Sequence, residues 1–404
     1  MQNKALSMGQ LSLLNLKRRP FRTGALFFVV ALLSLVLFGG TILSVSLKNG
    51  LDSMKARFGA DLIVVPLEYD KGMESILLKG EPAYFYFDHS IAEQILQIEG
   101  VSQATAQFYL TSLSSDCCST GAAQIIGFDP DADFVVQPWI SEAIGGNIAN
   151  GTVIVGNDIQ LGNDNTLKLY DHNYPVAARL DKTGTGLDQS IYANLSTVKE
   201  LFAGAKAKGV YFPEDTNPST SFSSVLIKVG DGYTSNVVSS NISQQIDGIQ
   251  IIQTQNMISS TAESIGKFSS FLYIFAVVFV VLAFVILAIL FSVTTNERKK
   301  EFSVLRTLGA TRKYLTSVIL TESFFISMVG GIAGIAVASL IVFPFSVYIG
   351  DKVGMPYIQP SLHVVAVILL SSLFISFVVA PLSSAFSAIK ISRAETYLTM
   401  REGE

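Results

Sequence analysis

The sequence predicts a membrane α-helical protein with four transmembrane helices and an α+β extracytoplasmic domain that carries a β-rich inserted subdomain. Three observations predict this class. Half of the 404 residues are hydrophobic and the mean hydropathy is +0.46, which lies between the values of soluble proteins and of proteins buried wholly in lipid. Four apolar stretches reach the length of about 20 residues that a bilayer requires. A long stretch of mixed polarity separates the first of them from the second.

The chain opens with a basic segment followed by the first span. Residues 1–22 contain LSLLNLKRRPFR, whose apolar face and basic residues predict a cytoplasmic amphipathic helix at the lipid surface. Residues 23–47 form the first span. Their apolar run exceeds the about 7–15 residues of a signal-peptide core. We therefore expect an uncleaved transmembrane helix.

Residues 48–267 predict a folded domain, because short apolar runs alternate with Gly, Ser, Asn and Asp. Strand–helix–strand patterns at about 48–135 and 220–267 indicate one subdomain that is split in sequence. The middle section, about 136–219, is mostly strand and predicts a β-rich insertion. Helical segments at both ends of the domain are expected to continue the first and second spans outward.

The other spans are expected at residues 268–293, 315–349 and 362–389, with a tail at 390–404. The loop at 294–314 is rich in Lys and Arg, as is the segment before the first span. Because such loops remain in the cytoplasm, both termini are expected inside and the large domain outside.

The loop at 294–314 reads TTNERKKEFSVLRTLGATRKY and places apolar Phe302, Val304, Leu305 and Leu308 among its charges. A loop that only set the topology would not need an apolar face, so contact with a cytoplasmic protein is expected. The segment resembles the coupling helix of the MacB/LolC/FtsX-type, or type VII, ABC transporter permeases. The residues that the resemblance and the residue pattern assign to ATPase coupling are Glu297, Arg298, Glu301, Phe302, Leu305, Arg306 and Gly309.

The resemblance covers nearly the whole chain and includes a Gly-Thr-Gly-x-Asp turn at residues 184–188. It implies a stand-alone permease subunit of the bacterial or archaeal cytoplasmic (inner) membrane. The chain has no Gly-x-x-x-x-Gly-Lys-Ser/Thr phosphate loop, so it is not expected to be an enzyme. ATP and Mg would bind a separate ABC ATPase subunit. A second permease copy or a paralogue, the lipid membrane and an extracytoplasmic substrate-binding or envelope protein are further expected partners, and nucleic acid is not.

Small and charged residues within the third span indicate packing sites. Gly330, Gly331 and Gly334 allow close helix contact in lipid, and we expect this contact between two permease copies. Glu322 is an acid within a span, which is costly unless it is paired. Two roles remain open for it: pairing with a basic residue near the cytoplasmic surface, or a part in transport.

The two cysteines are neighbours, Cys117 and Cys118, so the domain has no disulfide framework. Three interpretations remain open. The pair consists of inert thiols, of a strained redox-active pair, or of soft ligands for a thiophilic metal or haem. No other cofactor is expected in this chain.

The expected function is that of an ABC permease that moves an amphipathic or envelope substrate by ATP-driven mechanotransmission. Candidate substrates are lipoproteins, lipids, peptides, drugs, and haem- or iron-related compounds. One alternative is a regulatory mechanotransmitter that controls a cell-wall hydrolase or a sensor kinase. Another is a membrane protein that handles metal or haem through its thiols.

Overall fold

A computed structural model describes residues 8–18, 20–67, 69–88, 90–113, 117–162, 164–353 and 355–393. The chain divides into two compact units. The helical unit comprises Met1–Val45, Lys267–Phe345 and Gln359–Glu404, and the α/β unit comprises Ser46–Gly266 and Ser346–Ile358. The start of the predicted amphipathic helix and residues 394–404 of the predicted tail lie outside the described residues.

The described residues contain these helices: α1 Met8–Arg18, α2 Pro20–Arg57, α3 Asp70–Lys79, α4 Ser90–Leu96, α5 Gln137–Ile144, α6 Leu195–Ala207, α7 Ser235–Gln245, α8 Thr254–Glu297, α9 Lys299–Thr307, α10 Arg312–Val353 and α11 Leu362–Arg393. A short 3₁₀ helix covers Gly186–Gln189. The four long helices α2, α8, α10 and α11 are long and apolar enough to cross a membrane. Each predicted span lies within one of them.

Two of these helices are much longer than a bilayer requires. α2 has 38 residues and α8 has 44, whereas about 20 residues suffice to span the hydrocarbon core. α2 therefore continues past the first predicted span, and α8 begins well before the second. This agrees with the expected helical continuation of both spans into the domain.

The strands are β1 Leu62–Pro66, β2 Phe87–Asp88, β3 Val101–Thr111, β4 Gln124–Phe128, β5 Val153–Val155, β6 Thr166–Leu169, β7 His172–Arg179, β8 Ser190–Asn194, β9 Ser221–Phe222, β10 Ser224–Val229 and β11 Ile249–Gln253. Nine of them form one mixed sheet in the order β11-β1-β10-β3-β4-β8-β5-β7-β6, and β2 pairs with β9. The pairs β4–β8 and β5–β7 are parallel, and the other pairs in the large sheet are antiparallel.

Strand β1 shows why the large sheet has a core on both faces. Successive side chains of a strand point to opposite faces. Leu62 and Val64 pack in a cluster with residues of α4 and α7, whereas Ile63 and Val65 pack in a second cluster with α3 and α5. The continuous apolar run of β1 is explained by burial on both faces.

The predicted β-rich insertion supplies strands β5 to β8. β8 pairs with β4, and β7 and β6 extend the same sheet to its edge. The insertion therefore enlarges the sheet of the split subdomain. Its residues share a core with the flanking segments: Ile154 and Tyr192 pack in the same cluster as Ile63 and Met54.

The helical unit packs through its glycines. A Cβ added at Gly334 would lie 2.1 Å from the carbonyl oxygen of Ala31 in α2, and one at Gly331 would lie 3.1 Å from Leu373 in α11. Gly330 likewise faces Val30 of α2, at 3.1 Å. The three glycines thus bring α10 against helices of the same chain. The expected contact between permease copies stays a prediction.

Candidate functional site: the short helix α9 and its buried anchor

The predicted coupling segment forms the helix α9, set between the ends of α8 and α10. Arg298 is the residue that separates α8 from α9, and its side chain is buried. Its Nη1 donates to both carboxylate oxygens of Glu322, at 3.0 and 2.8 Å, and its Nε donates to Glu301 at 3.1 Å. Charge-assisted contacts of this kind are stronger than neutral hydrogen bonds. They tie the start of α9 to the body of α10.

A second helix completes the environment of Glu322. The side-chain amide of Asn15, in α1, donates to Oε1 of Glu322 at 2.9 Å. A buried carboxylate is tolerated only when its oxygens are paired and hydrogen-bonded. Glu322 meets this condition through Arg298 and Asn15 together. Sequence reasoning left Asn15 out of the site, although an acid within a span requires polar partners.

The inner face of α9 is apolar. Phe302 is buried and packs with Leu315 and Ile319 of α10, and half-buried Leu305 adjoins the same cluster. The Arg298 guanidinium carbon lies 4.8 Å from the centre of the Phe302 ring, within the range of a cation–π contact. These contacts seat α9 on α10.

The outer face of α9 and the residue that follows it carry two apolar side chains that no described part of the chain covers. Val304 is 55% exposed and Leu308 is 79% exposed. Glu301 and Gly309 are also exposed, and Arg306 is half-exposed. An uncovered apolar pair at the tip of a charged helix is typical of a contact surface for another protein.

Gly309 ends α9 in a defined way. Its φ is +97°, a left-handed conformation that favours glycine. The Gly309 N–H donates to the carbonyl of Arg306 at 3.0 Å, and the Ala310 N–H donates to that of Leu305 at 2.9 Å. These two bonds form a Schellman cap. Gly309 thus serves the turn between α9 and α10.

The structure sorts the seven predicted coupling residues into three positions. Arg298, Phe302 and Leu305 face the protein interior. Glu297, at the end of α8, pairs with Arg22 near the start of α2. Glu301, Arg306 and Gly309 lie on the accessible side of α9. Helical periodicity alone did not predict which apolar residues face inward, because both faces of α9 carry apolar residues.

A second buried carboxylate with several hydrogen bonds lies in the α/β unit, at the Gly-Thr-Gly-x-Asp turn. Asp188 is buried, and its two carboxylate oxygens accept from the N–H of Thr183 at 2.7 Å, the Thr183 hydroxyl at 2.8 Å and the N–H of Gly184 at 2.7 Å. Burial nevertheless raises the pKa of this carboxyl, while these hydrogen bonds oppose the shift. The carboxylate holds the turn closed.

This turn receives the segment between α10 and α11. The Tyr357 N–H donates to the Gly184 carbonyl at 2.9 Å, and the Ile358 N–H donates to the Ser46 carbonyl at 3.1 Å. A Cβ at Gly184 would lie 2.6 Å from the Tyr357 carbonyl oxygen. Glycine is required there both for its φ of +71° and for the close approach.

The cysteine pair also lies in the α/β unit. The two Sγ atoms are 3.4 Å apart and form no disulfide. Burial raises the pKa of the Cys118 thiol, so the thiol form is favoured at neutral pH. Within the described part of the chain, no group of three or more His, Cys, Asp or Glu side chains is placed to hold a metal ion. The predicted metal or haem role of these cysteines stays a prediction.

Comparison with known proteins finds a family and a relative to which parts of the chain are similar. Residues 273–396 match the family described as FtsX-like permease C-terminal. The putative hemin transport system permease protein HrtB of Staphylococcus haemolyticus (strain JCSC1435) is 23% identical over 194 residues, which are 47% of this chain and 48% of that protein. The chain thus spans about half the length of the curated relative that it matches.

Two solved structures are similar to parts of the chain. The periplasmic region of MacB from Actinobacillus actinomycetemcomitans shows 12% identity and a TM-score of 0.33, and the match covers 52% of this chain and 95% of that one. The extracellular domain of the noncanonic ABC-type transporter YknZ from Gram-positive bacteria shows 12% identity and a TM-score of 0.26, with 48% and 98% covered.

Proposed function

We propose that the chain is the permease subunit of an ABC transporter and couples to a separate ATPase through α9. The family support is the match of residues 273–396 to the family described as FtsX-like permease C-terminal. The observation that carries this proposal is the exposed pair Val304 and Leu308 on a helix that is anchored from inside. The anchor matters because a docking element transmits force only if it cannot slide on its own scaffold.

The proposed topology follows from the basic residues around α9 and before α2. We propose that α9, α1 and both termini lie on the cytoplasmic side of the inner membrane and the α/β unit on the other side, as loops rich in Lys and Arg remain in the cytoplasm. The ATPase would then reach α9 from the cytoplasm. A second permease copy or a paralogue would complete the transporter.

We propose that a displacement of α9 is transmitted through its contacts with α10, α1 and α8. A displacement of α9 by the ATPase would act on Glu322 of α10 through Arg298, and on α1 through Asn15. α8 ends next to Arg298 and runs without interruption from Thr254. An α-helix is stiff along its axis, so α8 would carry the stroke to the strands that follow α2 and precede α8. We propose that this stroke moves an amphipathic substrate.

Among the candidate substrates, haem is the first to test. The support is the similarity, at 23% identity over about half of that protein, to the protein named for hemin transport. Lipopeptides and phospholipids are the comparison probes from the same amphipathic class.

The docking proposal is tested by co-purification of the chain with its cognate ABC ATPase. In the Val304→Asp/Leu308→Asp variant, each new carboxylate would have to be desolvated in the interface. We expect recovery of the ATPase with this variant to fall at least tenfold. Val237→Asp is the matched control, because Val237 is 48% exposed on α7 of the α/β unit. Undiminished recovery with the double variant would refute docking through this face.

The substrate proposal needs a separate readout. The co-purified complex in lipid nanodiscs is assayed for ATP hydrolysis with hemin, a lipopeptide or phospholipid added. Stimulation by one of them, absent from the Val304→Asp/Leu308→Asp variant, supports transport of that class. If the complex forms but none of the probes stimulates hydrolysis, the coupling proposal stands and the amphipathic-substrate proposal fails.

A further inference from the structure

The vicinal cysteines form a close dithiol. Cys117 and Cys118 are the two cysteines of the chain, and their Sγ atoms lie 3.4 Å apart. Cys117 is buried and Cys118 is partly exposed. The Cys118 thiol is therefore accessible to a reagent from solvent, and the buried Cys117 thiol is in contact with it.

The turn between β6 and β7 holds the dithiol in place. The Asp171 N–H donates to the Cys117 carbonyl at 2.8 Å, and the Tyr170 N–H donates to the Cys118 Sγ at 3.4 Å. Tyr170 and Asp171 have φ values of +49° and +70°, which residues other than glycine rarely adopt. Asp171 is further fixed by ion pairs with Lys168 and Lys208. The sulfur atoms thus rest against a strained turn that several contacts maintain.

These contacts favour redox chemistry over a resident metal. A structural metal site takes three or four ligands, and no such group exists among the residues that the structure describes. Two thiols in contact, in contrast, need only lose their protons and two electrons to bond with each other.

We propose that Cys117 and Cys118 form a reversible redox site that closes to a disulfide within one chain. The oxidant belongs to the class of disulfides. The Cys118 thiolate attacks one sulfur of the oxidant, breaks its S–S bond and releases one thiolate. The Cys117 thiolate then attacks Cys118 Sγ, the Cys117–Cys118 bond forms, and the second thiolate of the oxidant leaves. Two protein protons are given up and the oxidant gains two electrons.

The adjacency of the cysteines makes the closed form easy to reverse. Consecutive Cα atoms are about 3.8 Å apart, below the roughly 4.4–6.8 Å that disulfides usually bridge. A disulfide under such strain is more reducible than a structural one. The site is therefore suited to respond to the redox state of its surroundings and unsuited to hold the fold together.

Closing the ring also alters the turn. The sulfurs must approach from 3.4 Å to about 2.05 Å. This draws Cys118 Sγ from the Tyr170 N–H and tilts the peptide whose carbonyl Asp171 binds. Oxidation should therefore loosen the β6–β7 turn.

The test uses the purified full chain in detergent, treated with oxidised glutathione and then denatured in excess maleimide. We expect maleimide labelling to fall from two thiols per chain to none, and a peptide with an internal Cys117–Cys118 disulfide to appear by mass spectrometry. Dithiothreitol should restore both thiols. Closure should be faster at pH 9 than at pH 7, because the thiolate is the attacking species. Exchange of the Tyr170 and Asp171 amides should accelerate on oxidation.

Each alternative outcome is distinguishable. Two thiols that persist under these conditions overturn the proposal, and so does glutathione retained on Cys118 without ring closure. Dimers linked by disulfides would also overturn it. Added Cd²⁺ that protects both thiols from maleimide at equimolar concentration, together with no closure by oxidant, would replace it with a metal site. Cys118→Ser, which keeps one thiol, should show no oxidation-dependent change at Tyr170. The result does not depend on the transport proposal.

Discussion

Nη1 of Arg298 lies 3.0 and 2.8 Å from the two carboxylate oxygens of Glu322, and both side chains are about 90% buried. One partner precedes α9 and the other lies in α10. Two roles were open for Glu322, pairing with a basic residue or a part in transport, and the structure shows the pairing. The contact explains how an acid persists in an otherwise apolar helix.

Removing one partner of this pair should cost more than removing both. Glu322→Gln leaves the Arg298 charge buried and removes its buried carboxylate partner, while the exposed Glu301 remains. We expect a loss of about 3 kcal/mol in unfolding free energy. Arg298→Met/Glu322→Met should recover most of that loss, because apolar replacements of a buried pair are often neutral. Thermal unfolding of the detergent-solubilised variants checks this. A double variant as unstable as the two single losses added together would contradict the buried-pair interpretation.

Gly309→Ala should weaken the end of α9. An alanine at a φ of +97° is strained by about 1–2 kcal/mol, and the Schellman cap would open. We expect faster hydrogen exchange at the amides of Gly309 and Ala310, and weaker recovery of the ATPase. Gly24→Ala in α2 makes the same chemical change where a Cβ meets nothing within 4 Å. Equal effects of the two substitutions would show that the cap has no special role.

Gly184→Ala should release Tyr357 and Ile358 from the turn at residues 184–188. The new Cβ would collide with the Tyr357 backbone and the Ile358 side chain, each 2.6 Å away. Gly209→Ala is the matched control, because its φ of +80° brings similar strain but a Cβ there meets nothing within 4 Å. Hydrogen exchange at the Tyr357 amide should accelerate only in the Gly184 variant. Similar acceleration in both variants would attribute the effect to backbone strain.

Asp188 should make the stability of the α/β unit depend on pH. Burial raises its pKa in the folded state, so the folded chain binds more protons than the unfolded chain above the ordinary Asp value of about 3.9. Its contribution to stability is therefore greatest below that value, decreases as pH rises toward the raised pKa, and is constant beyond it.

Replacement of Asp188 by Asn should reduce the slope of unfolding free energy against pH. It should also lower stability at all pH values, because the amide offers one acceptor oxygen where the carboxylate offers two. Denaturant unfolding between pH 4 and 8 measures both effects. Asp133, whose pKa burial also raises, contributes a slope of the same sign that remains in the variant. An unchanged slope in Asp188→Asn would assign the pH dependence elsewhere.

Much of the architecture follows from local sequence. The apolar run at Phe268–Val293 could only be a buried or lipid-facing helix, and its helix α8 contains it entirely. LIVVP, which follows Asp61, is a short apolar run rich in β-branched residues, as buried strands are, and it forms β1. Sheet order was not predictable in the same way, because β1 pairs with β10 and β11, more than 150 residues further along the chain.

The four spans and the mixed domain were predictable from the chain alone, because length, hydropathy and short motifs are local properties. The contacts between helices determine which face of the predicted coupling segment is buried. Arg298 and Phe302 face inward because they contact Glu322 and Ile319 of α10. Val304 and Leu308 are exposed as a consequence. A contact between residues far apart in sequence assigns each face of α9, and no local pattern carries that information.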